Sequence, residues 1–365
     1  MKIFVTGTRG IPHIQGGVET HCENLYPRIV GIGGDVTLIR RSCYVDENNK
    51  IRIFKGVKLK DTYAPRKKSL EAIVHTFLAV IYAFFKRADV IHFHAIGPSI
   101  FSPLAKVLGM KVVVTHHGAD YEREKWGLFA KFILKTGERM AVLFADRIIV
   151  ISDKVKNDVA SKYGRTDDVY LIYNGVNKAH IIESASYIST LGLESRGYIL
   201  ALGRFVEEKG FHNLIDAYLE SAAKDHYPLV IAGDADHATK YSIALKKKAK
   251  NSGVILPGMV TGDNLAELYS HTRLFVLPTF HEGMPISLLE AMSYNLDVLV
   301  SNIPANMMLI RNDESLFNPH DIRELSSKLD SKIQKGLVTK IYDLSDYNWD
   351  EIADKTFDVL NFTKK

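Results

Sequence analysis

Glu282 and Glu290 stand seven residues apart in HEGMPISLLEAM, with Pro285 between them. Proline suits the first helical position, because its missing N–H has no helical partner to lose. Glu282 then lies in a loop and Glu290 on the second helical turn. Gly283, Met284, Pro285 and Ile286 form the loop's end and the helix start, whose free amides attract phosphate. A carboxylate accepts hydrogen bonds from hydroxyls, and the paired hydroxyls of a ribose suit one carboxylate well. The segment therefore offers a sugar contact, a phosphate-binding helix end and a ribose contact. It also reads as an ordinary capped helix carrying surface acids.

Two cations strengthen the first reading. In GRFVEEKG, Arg204 and Lys209 lie five apart in a loop that follows a strand. A guanidinium fork and a mobile ammonium suit a diphosphate. With Glu207 and Glu208 between them, the same residues also fit a solvated charged turn. Near the N-terminus, GTRGIPHIQGGVET puts Gly16 and Gly17 just before a helix. Glycines there let a backbone approach phosphate closely, or simply make a tight turn. The spacing is not GxGxxG, which disfavours a nicotinamide-dependent dehydrogenase.

The elements that must position these residues alternate between strand and helix. Strands are expected at Lys2–Thr6, Asp35–Arg40, Val90–Phe93, Val112–Thr115 and Arg147–Ile151, with helices at Val18–Val30 and Leu70–Arg87. Residues 177–197 are polar and read as a linker. Beyond them the rhythm restarts, with strands at Tyr198–Leu202, Pro228–Ala232, Val254–Leu256, Leu274–Leu277 and Asp297–Ser301 and a helix at Asn213–Ala223. Two such series predict an α/β chain with two doubly wound domains, at 1–176 and 198–347. Ligands of such folds bind at the carboxyl ends of the strands, so a cleft between two facing domains is the expected site.

Bulk composition agrees. The 365 residues are 46% hydrophobic and 24% charged, enough apolar material for two cores and no signature of disorder. A net charge of +5 permits an anionic ligand or membrane surface. Cys22 and Cys43 show no ligand spacing, so neither zinc nor a disulfide framework is expected. The opening MKIFVTGTRG reads as a strand rather than a signal peptide, and a cytoplasmic location is expected.

Taken in order, these motifs resemble the retaining GT-B glycosyltransferases, in particular family 4. Glu282 and Glu290 are similar to its E-x7-E motif, and GRFVEEKG to its arginine-to-lysine diphosphate clamp. LIYNGV, LVIAGD and PGMV resemble its NGV segment, its GD turn and its base-binding loop. TRGIP…GG…ET and HGADYEREKW are similar to a bacterial rhamnosyltransferase-like subgroup. The resemblance implies two Rossmann-like domains, with a C-terminal helix at 348–365 packing back on the first. It implies transfer of a hexosyl group from a nucleoside diphosphate sugar, a UDP-sugar favoured, to a glycan or lipid-linked acceptor. Surface polysaccharide synthesis is the implied setting.

By position, the resemblance assigns the ribose to Glu290, the donor sugar to Glu282 and the diphosphate to Arg204 and Lys209. Gly16 and Gly17 would approach the phosphates, and the base would pack near Met259. His117 resembles the family's active-site histidine, with His116 the neighbouring candidate. Asp234-Ala-Asp236 spells DxD, a metal-binding pattern of another glycosyltransferase fold, but it follows a strand where the family has a turn. Arg204 and Lys209 already supply positive charge, so no metal or other cofactor is expected.

Arg66–Arg87 and Lys125–Lys135 are both apolar and basic. Such helices can lie on an anionic membrane, and equally can pack on a sheet with their lysines solvated. No nucleic-acid partner is expected. The rival functions are a sugar-nucleotide epimerase of the same fold and a non-catalytic sugar-nucleotide-binding subunit.

Overall fold

The computed structural model describes residues 1–47, 49–66, 70–122 and 127–362. The chain divides into two compact units: Met1–Gly175 with Asp346–Lys365, and Val176–Ser345.

Among the described residues the first unit holds an eight-stranded sheet. Its strands are β1 (Lys2–Thr6), β2 (Asp35–Arg41), β3 (Ile53–Phe54), β4 (Val57–Thr62), β5 (Val90–His94), β6 (Lys111–His116), β7 (Arg147–Val150) and β8 (Val169–Leu171). Their spatial order is β3-β4-β2-β1-β5-β6-β7-β8. All neighbours pair in parallel except β3 and β4. Helices cover both faces, so the strands are continuous apolar runs whose alternate residues enter different cores. Ile3 and Val5 join one core with Leu25 and Ile29 of the helix Gly17–Gly31, whereas Phe4 joins the other with Ala79 and Val80 of the helix Glu71–Phe85.

The helix Trp349–Leu360 belongs to this first unit. Trp349, Ile352 and Leu360 are buried in the core that holds Ile3 and Val5. Gly175 makes room for it: a Cβ there would sit 2.5 Å from Trp349 Cδ2. The guanidinium of Arg147 donates to the carbonyls of Asp358, Val359 and Asn361 at 3.3, 2.8 and 3.2 Å, which satisfies the helix's C-terminal end. Residues 363–365 of the expected helix lie outside the described residues.

Five parallel strands form the second unit's sheet: β9 (Ile199–Leu202), β10 (Leu229–Ala232), β11 (Leu274–Leu277), β12 (Asp297–Ser301) and β13 (Leu316–Phe317), in the order β10-β9-β11-β12-β13. Two expectations need correction here. Residues 177–197 are part of this unit: Ile188 and Leu193 are buried, and the Ile188 amide donates to Glu267 Oε1 at 2.9 Å. Ile188 in the short helix Ser186–Thr190 and Leu193 just beyond it leave no periodic signal among polar neighbours. Val254–Leu256 is not a full strand; Ile255 alone bridges to Val230 beside β10.

Among the described residues no helix is long and apolar enough to cross a membrane.

Candidate active site

In the second unit the sheet order sets β9 beside both β10 and β11, so the loops leaving their carboxyl ends are neighbours. The loop after β9 carries Arg204 and Lys209; the loop after β11 carries Glu282. Backbone bonds join the two loops. The amide of Phe280 donates to the Glu208 carbonyl at 2.8 Å, and Thr279 Oγ1 donates to the same carbonyl at 2.9 Å. Gly210 sits at φ 66°, and a Cβ there would meet the Pro278 carbonyl oxygen at 2.0 Å, so only glycine allows this approach.

The result is an ion pair between Lys209 Nζ and Glu282 Oε1. Both side chains are mostly buried, at 17% and 13% exposure. The helix after Glu282 runs over Ile286–Ser293, starting one residue later than expected, with Pro285 as its N-cap rather than its first helical residue. No side chain caps that end, so the first-turn amides are available to a ligand. Glu290 lies inside the helix and accepts a hydrogen bond from Tyr269 at 3.1 Å. Burial raises the Glu290 carboxyl to about 7, and the Tyr269 bond offsets only part of that rise. Met259 is half exposed, in a loop whose Gly258 carbonyl accepts from the Gly233 amide at 2.7 Å.

The DxD carboxylates each face a cation. Asp236 pairs with Arg204 at 3.1 Å, and Asp234 with Lys246 at 2.7 Å. Arg204 is thus held by a carboxylate, just as Lys209 is.

In the first unit, β1, β5 and β6 are adjacent, and their carboxyl ends bring together the loop at 7–17, His94 and His117. Glu19, buried in the first turn of the following helix, organises that loop. It accepts from Thr8 Oγ1 at 3.0 Å and from the Arg9 amide at 2.9 Å. Gly16 sits at φ 153°, and a Cβ there would lie 2.0 Å from Glu19 Oε2 and displace the carboxylate that organises the loop, whereas a Cβ on Gly17 meets nothing within 4 Å.

His116 and His117 differ sharply in setting. His116 donates to Glu138 at 2.8 Å and accepts from the Gly118 amide at 3.1 Å, so both ring nitrogens are engaged in the interior. His117 is partly exposed, and its Nε2 shares a hydrogen with His94 Nδ1 at 2.9 Å. From His94 the bonds run inward through Tyr26 to His92 and on to Thr115 Oγ1. Burial, reinforced by neighbouring histidines, keeps His94 and His117 well below the usual histidine range and therefore neutral.

The sequence reading did not single out Tyr26, His92, His94, His21 or Tyr269, and held Asn174 only as part of the NGV segment. VIHFH holds a usable signal, because histidines two apart on a strand share a face. Tyr269 had none, lying 21 residues from the carboxylate it serves.

Residues 15–180 match the family described as Glycosyltransferase Family 4, and residues 188–342 match Glycosyl transferases group 1. An uncharacterized glycosyltransferase of Methanocaldococcus jannaschii is 25% identical over 385 residues, 98% of this chain and 97% of its own. The O-antigen chain mannosyltransferase RfbU of Salmonella typhimurium is 28% identical over 204 residues, 55% of this chain and 54% of its own. In fold, the chain is similar to Anabaena HepE, solved in complex with UDP-glucose, with a TM-score of 0.74 and 19% identity over 98% of this chain and 95% of that one. The chain belongs to the glycosyltransferases that these two families describe, and its two parallel-sheet units are the Rossmann-like domains of the GT-B fold.

Proposed function

We propose that this glycosyltransferase moves a hexosyl group, with retention at the anomeric carbon, from a nucleoside diphosphate sugar to a glycan or lipid-linked glycan. A UDP-sugar is the favoured donor and bacterial surface polysaccharide the setting. The observation that carries this reading is the Lys209–Glu282 ion pair, formed where the loop that carries Arg204 meets the loop leading into the uncapped helix of Glu290. Arg204 and Lys209 hold the diphosphate and stabilise its charge as it leaves. Backbone amides near Gly283, Met284 and Ile286, beyond which Pro285 has none to offer, bind phosphate; Glu290 binds ribose and Met259 packs on the base. Glu282 serves both Lys209 and the donor sugar. In the first unit, Gly16, Gly17 and His117 are the donor contacts. HepE was solved with UDP-glucose, which supports the donor class; the similarity to RfbU supports the polysaccharide setting.

The test is a thermal-shift screen of UDP-, GDP- and dTDP-sugars, since a tight ligand stabilises by mass action. Transfer with the winning donor then follows, with NMR of the product's anomeric configuration. Inversion at that carbon, or release of an epimerised nucleotide sugar without acceptor, would overturn the proposal.

Gly17 separates binding from folding. Its added Cβ meets nothing within 4 Å. Gly17→Ala is therefore expected to leave the melting temperature unchanged or higher while raising the donor KM. An unchanged KM would remove Gly17 from the site.

Transfer should need no divalent metal, given that Asp234 and Asp236 each pair with a cation. Activity is expected to survive EDTA. Asp236→Asn should change it by no more than about fivefold, the span of a partly exposed ion pair. Loss of activity in EDTA with recovery on Mg²⁺ would restore the metal reading of DxD.

The first unit also carries the proposed membrane contact. The helix Glu71–Phe85 packs Ala79, Val80 and Ala83 into the core, as the sheet-packed alternative anticipates, yet leaves Phe84 and Phe85 exposed. On the helix Leu128–Phe144, Leu128, Phe129 and Phe132 are exposed beside Lys131 and Lys135. Lys125 and Trp126 of that stretch, like Lys67 and Lys68 of the other, lie outside the described residues. These exposed side chains support peripheral attachment to the inner, anionic face of a membrane. The protein should co-sediment with phosphatidylglycerol vesicles but not with phosphatidylcholine ones, and Phe129→Asp with Phe132→Asp should abolish it. Equal recovery with both lipids, or none with either, would count against attachment.

A further inference from the structure

We propose that His21, His94 and His117 form a binding site for a zinc-class transition-metal ion, distinct from the diphosphate clamp. The three side chains come from different elements: the helix Gly17–Gly31, the end of β5 and the residue after β6. One ring nitrogen from each lies within 4.8 Å of the others. Zn–N bonds of about 2.05 Å place tetrahedral ligand nitrogens about 3.3 Å apart. His94 Nδ1 and His117 Nε2 are already 2.9 Å apart. A side-chain movement of His21 by about 1.5 Å at most would complete the set.

The surroundings of the rings favour a metal over a simple buried cluster. His21 is 3% exposed, and its Nδ1 donates to Asn174 Oδ1 at 2.9 Å. Its Nε2 is buried with no hydrogen-bond partner. That leaves a lone pair on a ring whose orientation is already fixed, the usual arrangement for a metal-ligating histidine and its outer partner. Tyr26 plays the same part for His94. With Nε2–H of His94 donating to the Tyr26 oxygen, the tyrosine hydroxyl turns to His92 Nδ1, and His92 Nε2–H donates to Thr115 Oγ1. In that polarity His94 Nδ1 carries a lone pair. The hydrogen on His117 Nε2 moves to Nδ1 through solvent, His117 being the residue of the three that is not fully buried. Ion binding then needs no net proton release, and His117 is the side from which an ion enters.

Imidazole-only ligation selects Zn²⁺, Ni²⁺ or Cu²⁺ over Mg²⁺ and Ca²⁺, which prefer oxygen. The site is therefore compatible with transfer that requires no divalent metal. An ion here would occupy His117 rather than a diphosphate.

The experiment needs no sugar donor, so its failure is distinguishable from failure of the proposed transfer. Full-length, untagged protein is stripped with EDTA, dialysed and titrated with Co²⁺ while visible d–d absorption is followed; Zn²⁺ then displaces it. One equivalent per chain is expected, unaffected by excess Mg²⁺. His21→Gln and His117→Gln should each weaken binding by at least about tenfold, and so should Asn174→Ala through loss of the outer partner. His226→Gln should bind as the parent does. If His21→Gln fails to fold, His117→Gln carries the test, because His117 is the least buried residue of the three. Absence of a stoichiometric Co²⁺ spectrum would overturn the proposal, as would equal binding by the parent and His117→Gln.

Discussion

Lys209→Ala is expected to lower turnover by about two to three orders of magnitude while the protein stays folded, and Arg204→Ala by a similar amount. Removing one preorganised donor from developing charge costs about 3–4 kcal/mol in comparable sites. Folding should survive, since neither residue belongs to the second unit's buried apolar core, and both retain some exposure, 17% and 20%. The two losses differ in kind. Without Lys209, Glu282 loses its ion-pair partner and presents its full charge beside the leaving diphosphate. Without Arg204, Asp236 loses one partner in the same way. Arg204→Ala combined with Asp236→Asn should therefore recover part of the activity that Arg204→Ala alone loses, since paired residues do not act additively; a merely structural arginine would instead lower the melting temperature together with the turnover. Turnover at saturating donor, measured beside the melting temperature, decides it. Near-parental turnover by either alanine variant would exclude the clamp.

The pairing of these cations with carboxylates was outside what the sequence could say. GRFVEEKG and HEGMPISLLEAM are each legible as loops after strands, because short apolar runs such as ILAL and LFVL followed by glycine or proline leave little choice. That the two loops meet depends on β9 lying beside β11, a contact between strands more than 70 residues apart. Spacing along the chain encodes local geometry, so Glu282 and Glu290 could be placed relative to their helix but not relative to Lys209 or Tyr269. The histidine register shows the same limit. His116 and His117 are indistinguishable in VVVTHHGAD. The difference arises because Glu138, on the helix Leu128–Phe144, and the Gly118 amide engage both nitrogens of the first, while the second turns to His94. Residues 177–197 failed for a different reason. Their burial rests on two apolar side chains, too few to register as a pattern.

Donor affinity should fall with pH below about 7, through Glu290. Burial raises this carboxyl to about 7, so it is largely protonated below that value and ionised above it. Ribose hydroxyls donate to the ionised form, while a protonated carboxyl must itself donate through one oxygen. Tyr269 already donates to Oε2, which leaves Oε1 for the ligand. The donor KM is then flat above pH 7 and rises about tenfold for each unit below it, until the neutral carboxyl's weaker affinity is reached. Glu290→Gln is neutral at every pH. It should show a raised KM that no longer depends on pH in this range, with kcat little changed, because a contact to the unreacting ribose is equally strong in ground and transition states. Glu282→Gln provides the contrast. Its partner is Lys209, beside the bond that breaks, so it should lower kcat and keep the pH dependence of KM. If Glu290→Gln retained the pH-dependent KM, the titrating group would lie elsewhere. If it lost kcat at unchanged KM while Glu282→Gln lost only affinity, the two carboxylates would have the opposite roles.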